Sequence, residues 1–213
     1  MDKLREYGVF MKIDFKRQIP SYGAKHGLFS VITVPTLQFL MIDGHGNPNT
    51  AESYRDSLAT LYPVAYKLKF FSKNELGRDY TVMPLEAQWW SDDMESFTNA
   101  RDKSRWDWTL MNMVPDWVTQ EHLDMAREAV AKKGESPLLK ALRLEPLHEG
   151  LSVQTLHIGP YDDEGPVLEE MHNKFIPEKS LTMTGRHHEI YLADPRRTAP
   201  EKLRTILRQP VKE

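Results

Sequence analysis

Residues 187–197 read His-His-Glu-Ile-Tyr-Leu-Ala-Asp-Pro-Arg-Arg. Side chains alternate over residues 186–192 with the period of a strand, and Pro195, Arg196 and Arg197 end it. If Ile190 and Leu192 face a core, Glu189 and Tyr191 face the other way. A carboxylate beside an aromatic ring on such a strand marks either a solvated sheet face or a lined cleft.

The flanking sequence extends the pattern. Residues 150–158 and 203–209 read as strands, and Val167, Leu168, Met171 and Phe175 form a helical stripe over 164–175. Residues 141–146 are a further strand, turning near His148-Glu149-Gly150. The first half repeats this order. Over 29–43, Pro35 implies a strand with a break or an edge strand, a helix over 51–70 contains Pro63, and strands follow over 79–91 and 105–114. Pro63 should kink that helix or begin a second segment, and Pro84 should mark a bulge or an edge. A polar loop or short helical turn fills 92–104. Thr119 caps a helix over about 120–133, which Lys132, Lys133 and Gly134 stop. Residues 1–28 form an N-terminal arm in which Lys12 to Lys16 reads as a short strand.

Local echoes strengthen the parallel. Trp89-Trp90-Ser91-Asp92 aligns with Tyr191-Leu192-Ala193-Asp194, and Trp108-Thr109-Leu110-Met111 aligns with Arg204-Thr205-Ile206-Leu207. The expected fold is α+β: duplicated β-α-β-β modules forming a groove between two pseudo-symmetric halves, one over about 29–134 and the other over about 135–213. Ligands favour such seams. The echo also places Trp89 with Tyr191 on the groove side and Trp90 with Leu192 in the core.

Composition removes several classes. The 213 residues carry a net charge of -3, so no basic excess points to nucleic acid. The absence of cysteine excludes disulfides, thiolate nucleophiles and cysteine zinc sites. The opening MDKLREYGVFMKIDFKRQ has no unbroken apolar core, and no run approaches the roughly 20 apolar residues of a membrane span. The expected protein is cytoplasmic, with no membrane or nucleic-acid partner, no cofactor and no metal. Oligomeric state is not legible in these features.

Four segments resemble the GyrI-like small-molecule-binding family: MPLEAQWW at 83–90, WTLMNMVPDWVT at 108–119, LHIGPYDDEGP at 156–166, and the long HEIYLADPRRTAPEKLRTILRQPV at 188–211. The resemblance spans about 29–211. It implies an aromatic-lined groove with Glu189 in it. It also implies that a Trp-Trp pair such as Trp89-Trp90 marks stand-alone members that hydrolyse the cyclopropane of genotoxic cyclopropanoid alkylators. MPLEAQWW departs from the family pattern, with Ala87-Gln88 in place of Gly-Leu, a change that bears on the groove wall. No helix-turn-helix precedes the domain, against the expectation for a complete transcription factor.

Candidate residues follow from both readings. Glu189 can activate a water as a general base or pair with a cationic ligand. Tyr161, in the loop after Gly159-Pro160, can hydrogen-bond a ligand carbonyl or position that water. Trp89, Tyr191, Trp106, Trp108, Tyr66 and Tyr80 are candidates for binding a planar or hydrophobic small molecule. Trp106 and Trp108 share one face, which the sequence leaves open. His187 and His188 point apart and cannot readily share an ion. Arg196 and Arg197 are either an anion site or solvated turn charges. The readings are thus a ring-opening hydrolase, a non-catalytic binder of drug-like or cationic compounds, or a protein-binding domain like the family's gyrase-inhibitory namesake.

Overall fold

The computed structural model describes residues 11–92, 102–134 and 138–213. Its strands are β1 (Ser30–Val34), β2 (Leu37–His45), β3 (Glu86–Trp90), β4 (Asp107–Val114), β5 (Arg143–Leu147), β6 (Gly150–Ile158), β7 (Thr182–Met183), β8 (His187–Tyr191) and β9 (Arg204–Lys212). They form one antiparallel α+β sheet in the order β1-β6-β9-β8-β3-β4-β2-β5, with β7 beside β9, curled into a half-barrel. The helices are α1 (Phe15–Gln18), α2 (Glu52–Asn74), α3 (Gln120–Ala131), α4 (Gly165–Glu170) and α5 (Ile176–Glu178). A π turn over Met171–Phe175 joins the last two.

Pro35 explains the sheet's connectivity. It has no N–H to give a ladder, so the run 29–43 splits there. β1 then pairs with β6, while β2 pairs with β4 and β5 near the opposite edge. Gly150, at φ 65°, makes the matching break between β5 and β6. The two corners meet where Thr36 Oγ1 lies 2.8 Å from His148 Nδ1.

Helices cover the two flanks of one sheet face. Leu61, Val64, Ala65 and Leu68 of α2 pack on Leu40, Ile42 and Leu110, with α3 alongside. Met171 and Ile176 pack on Val153, Leu207 and Val211. Gly44 lets the fully buried Trp108 ring lie across β2: a β-carbon at Gly44 would come within 2.0 Å of that ring. The other sheet face holds Phe39, Met41, Met111, Ile190 and Ile206, closed over by Phe15, Ile19 and Tyr22 of the N-terminal arm.

Several expectations need correction. The arm carries a turn of helix at Phe15–Gln18, capped by Asp14, in place of a strand over Lys12 to Lys16. Asp14 competes for the backbone at Lys16, and only Ile13 bridges to Tyr80. α2 passes through Pro63 without ending, because its apolar stripe is held by the sheet on both sides of the proline. The strand expected over 79–91 is confined to Glu86–Trp90, after Pro84. Residues 1–10 of the arm, 93–101 of the expected loop and 135–137 at the boundary between halves lie outside the described residues. Among the described residues, no helix is long and apolar enough to cross a membrane.

A buried charge cluster lies between the sheet and the arm. His188 Nδ1 bonds Glu149 Oε1 at 2.9 Å, and His188 Nε2 lies 3.0 Å from Glu86 Oε2. Arg208 donates to Glu149 Oε2 (2.7 Å), Gln154 Oε1 (3.1 Å) and the Ser21 carbonyl (2.7 Å). Tyr22 donates to Glu86 Oε1 at 2.6 Å. Two carboxylates thus face two cations, and the arm is tied to the sheet. Burial alone would lower the His188 pKa, but the Glu149 and Glu86 carboxylates outweigh it and push it up to about 9. Burial would raise Glu149, yet His188 and Arg208 hold it at about 2.

Folding therefore favours the protonated His188. Its contribution is complete below the ordinary imidazole value of about 6.5 and is lost as pH rises through about 9. Glu149 acts on the acid side, losing its contribution as pH falls from the ordinary carboxylate range toward about 2. Urea denaturation from about pH 6 to about pH 9 should show falling stability, with a flatter profile in His188→Gln. Equal slopes in the two proteins contradict this assignment. Glu149→Gln should cost about 3 kcal/mol or more at neutral pH, because it leaves buried cations uncompensated.

Candidate functional site

β8 separates two environments by simple alternation. His188 and Ile190, both 0% exposed, enter the face that holds the charge cluster. His187, Glu189 and Tyr191 project from the opposite face, over the part of the sheet between the helical flanks. A cavity of about 900 Å³ opens there, a size suited to a drug-sized ligand.

Each wall has a structural origin. α2 contributes Tyr54, Leu58, Tyr62 and Tyr66, four residues apart and so on one stripe. β3 contributes Trp89, which sits opposite His187 in the β3–β8 register. Trp106 stands just before β4 and meets Trp89 edge to face, with ring centroids 5.7 Å apart. Tyr54 lies nearly parallel to Trp89, at 19° and 6.4 Å. Tyr161 and Glu164 come from the turns after β6, and Tyr161 packs edge-on against Tyr191 at 5.4 Å.

Glu189 sits on the cavity floor with its side chain 13% exposed. The Tyr191 hydroxyl donates to Glu189 Oε2 at 2.6 Å, and Trp89 Nε1 donates to the Tyr191 oxygen at 3.0 Å. His187 Nε2 lies 3.4 Å from Glu189 Oε1. Burial, followed by the Glu189 charge, holds the Tyr191 hydroxyl well above its ordinary pKa. Burial pushes Tyr161 up to about 12, with Glu164 and Glu189 adding to the effect. Both phenols are therefore donors at neutral pH. Behind His187, burial lowers His172 to about 4, so that ring is neutral.

Two of the cations that line the cavity are engaged. Lys103 pairs with Asp162 at 2.6 Å, and Arg196 with Asp194 at 2.9 Å. Two carboxylates lie deeper, Glu189 and the 4% exposed Glu164. Among the described residues, no group of three His, Cys, Asp or Glu side chains is placed to hold a metal ion.

Most of the sequence candidates meet in this cavity. Glu189, Tyr161, Trp89, Tyr191 and Trp106 line it, and Tyr66 stands half exposed at its rim. Trp108 does not line it; the ring is fully buried and supports Tyr54 edge-on from behind at 5.1 Å. Tyr80 is displaced altogether, 1% exposed and packed against Trp117, because Ile13 of the arm bridges to it. Trp90 is half-buried with the Arg186 guanidinium 3.4 Å over its ring, not in the core. Ala87 is buried opposite Glu189 and Gln88 faces away, so the departure at these two positions does not reach the cavity lining. Sequence reasoning missed Tyr54, Tyr62, Glu164 and His187. The four-residue spacing of Tyr54, Leu58, Tyr62 and Tyr66 carried the signal for two of them, but it was absorbed into the general apolar stripe of the helix.

Residues 29–212 match the model of the GyrI-like small-molecule-binding domain. The chain belongs to that family. Three solved structures from Listeria innocua are similar over 94% of this chain and 100% of their own. One is a conserved, uncharacterised protein, 38% identical with a TM-score of 0.86. Two are hydrolases, 37% and 36% identical with TM-scores of 0.80 and 0.83. No curated protein is significantly similar.

The Trp89–Tyr191–Glu189 hydrogen-bond chain lies in the lining of the GyrI-like cavity. Tyr191→Phe leaves a buried carboxylate oxygen and an indole N–H without their partner. Urea denaturation should register a loss of about 1–3 kcal/mol; a loss below about 0.5 kcal/mol means the hydroxyl is not holding Glu189.

Proposed function

We propose that this GyrI-like domain binds planar, largely apolar cyclopropanoid compounds and opens their three-membered ring by adding water. Its cellular role is then detoxification of genotoxic alkylators, a form of drug resistance. The observation that carries the reading is a carboxylate on the cavity floor, Glu189, oriented by the Tyr191 phenol and flanked by Trp89. The hydrolase relatives from Listeria innocua, covered end to end, favour hydrolysis over binding alone.

The chemistry suits an activated cyclopropane conjugated with a carbonyl. Glu189 takes a proton from water as the water oxygen bonds the ring methylene. The ring carbon–carbon bond breaks, and its electron pair moves onto the conjugated carbonyl. Tyr161 donates a hydrogen bond to that oxygen as charge develops. The proton taken by Glu189 returns to the product oxygen, so water is added across the broken bond. Flat rings at Trp89, Tyr54 and Trp106 hold the planar part of the substrate and keep bulk water out.

We also read the fold as two duplicated modules. The strand order is unchanged when β1 is exchanged with β5, β2 with β6, β3 with β8 and β4 with β9, which supports a groove at a pseudo-symmetry axis. A second reading is a binding module for cationic compounds. It is favoured by Glu189, a deep carboxylate in an aromatic cavity, beside which Lys103 and Arg196 are paired with Asp162 and Asp194.

Incubation of the purified protein with a cyclopropanoid alkylator, followed by mass spectrometry, separates the two. The hydrolase gives water-added product in catalytic excess; unchanged compound with saturable tryptophan quenching supports the binding module. Glu189→Gln should lower kcat by about 10²–10⁴ while quenching persists. Turnover that survives the substitution removes Glu189 as the base.

A further inference from the structure

His187 opens β8 and lines the cavity, with its side chain 10% exposed. Neither ring nitrogen has a hydrogen-bond partner among the described residues. Burying a polar atom without a partner costs stability, so a pair of them in a cavity lining calls for a use. Trp89 stands opposite His187 in the β3–β8 register, and the His172 ring meets it edge to face at 5.9 Å. His172 comes from the π turn over Met171–Phe175, a feature frequent at functional sites. Its Nε2 is likewise without a partner, so the two imidazoles pack without sharing a proton. Glu189 Oε1 lies 3.4 Å from His187 Nε2 and is the carboxylate oxygen that Tyr191 does not hold.

Strand geometry brings the pair together. His187 and Glu189 are two residues apart on β8, so their side chains leave the same face about 7 Å apart at the backbone. The last torsion of a glutamate is broad and weakly defined. Tyr191 fixes Oε2 at 2.6 Å, but one contact leaves the carboxylate plane free to turn. A second donor on Oε1 defines that plane. At 3.4 Å the His187 contact is longer than a formed hydrogen bond. Catalytic contacts of this kind tighten when substrate fills the site.

We propose that His187 is a positioning residue for Glu189: its Nε2–H donates to Oε1 and, with Tyr191 on Oε2, sets the carboxylate plane against the water to be activated. The inference rests on the hydrolysis proposed above. The proton that leaves water still goes to Glu189; His187 forms no bond to the substrate and gives up no proton. The aromatic walls hold the ligand whether or not this donor is present, so its loss falls on turnover and spares affinity.

Two substitutions separate this role from packing. His187→Gln keeps an N–H near the Nε2 position, and His187→Phe keeps a ring while removing the donor. His187→Leu repeats the second test without a larger ring. Turnover of a cyclopropanoid alkylator gives kcat and KM, tryptophan quenching gives affinity, and circular dichroism checks the fold. His187→Phe should lower kcat by about 10–100-fold with affinity held within about twofold, because a misaligned base loses rate without losing ligand. His187→Gln should recover most of that rate. A ring kept only for packing reverses the order, with His187→Phe active and His187→Gln impaired, and overturns the inference. Equal losses in both variants, or a matching loss of affinity, overturn it as well and leave the hydrolysis standing. Absence of turnover in the wild type overturns the hydrolysis itself, and this inference with it.

Discussion

Two strands at the middle of the sheet, β3 and β8, are clamped together by buried charge. Glu86 comes from β3, His188 from β8, Arg208 from β9 and Glu149 from the turn before β6. Ser21 and Tyr22 of the N-terminal arm complete the cluster. A slip of one residue in the β3–β8 pairing would exchange the faces of every side chain on those strands. His188 would then lose its carboxylates, and Glu189 would enter an apolar core. The charge cluster on one face therefore fixes the register that puts Glu189, Tyr191 and Trp89 on the other.

The chain uses its buried carboxylates in two ways. Glu149 meets an imidazolium and a guanidinium, so its charge is spent on structure. Glu189 meets a neutral phenol that orients one oxygen, with His187 at a longer distance from the other. A carboxylate held by a neutral donor keeps its negative charge for a water proton or a cationic ligand. That contrast, more than burial alone, supports the role proposed for Glu189.

Alternation over 187–191 gave the correct faces for Glu189, Ile190 and Tyr191, because strand periodicity is a local property. Pro35 announced the split between β1 and β2 for the same reason. Tyr80 was misplaced because its environment is set by Ile13, far away in the chain. Trp90 was misplaced because its partner, Arg186, covers the ring without burying it in the core. Glu86 and Arg208 stood inside quoted motifs, yet nothing local distinguishes a buried ion pair from a solvated charge. Long-range pairing decides such positions, and one sequence does not display it.

The central claim is that Glu189 acts on a water molecule bound against a planar ligand. A single-turnover reaction with a cyclopropanoid in ¹⁸O-labelled water, read by intact-protein and product mass spectrometry, tests it most directly. Water activation predicts one labelled oxygen in the ring-opened product and no label or adduct on the protein. Label in the Glu189 carboxylate, or a ligand ester attached there, contradicts the account and makes Glu189 the nucleophile.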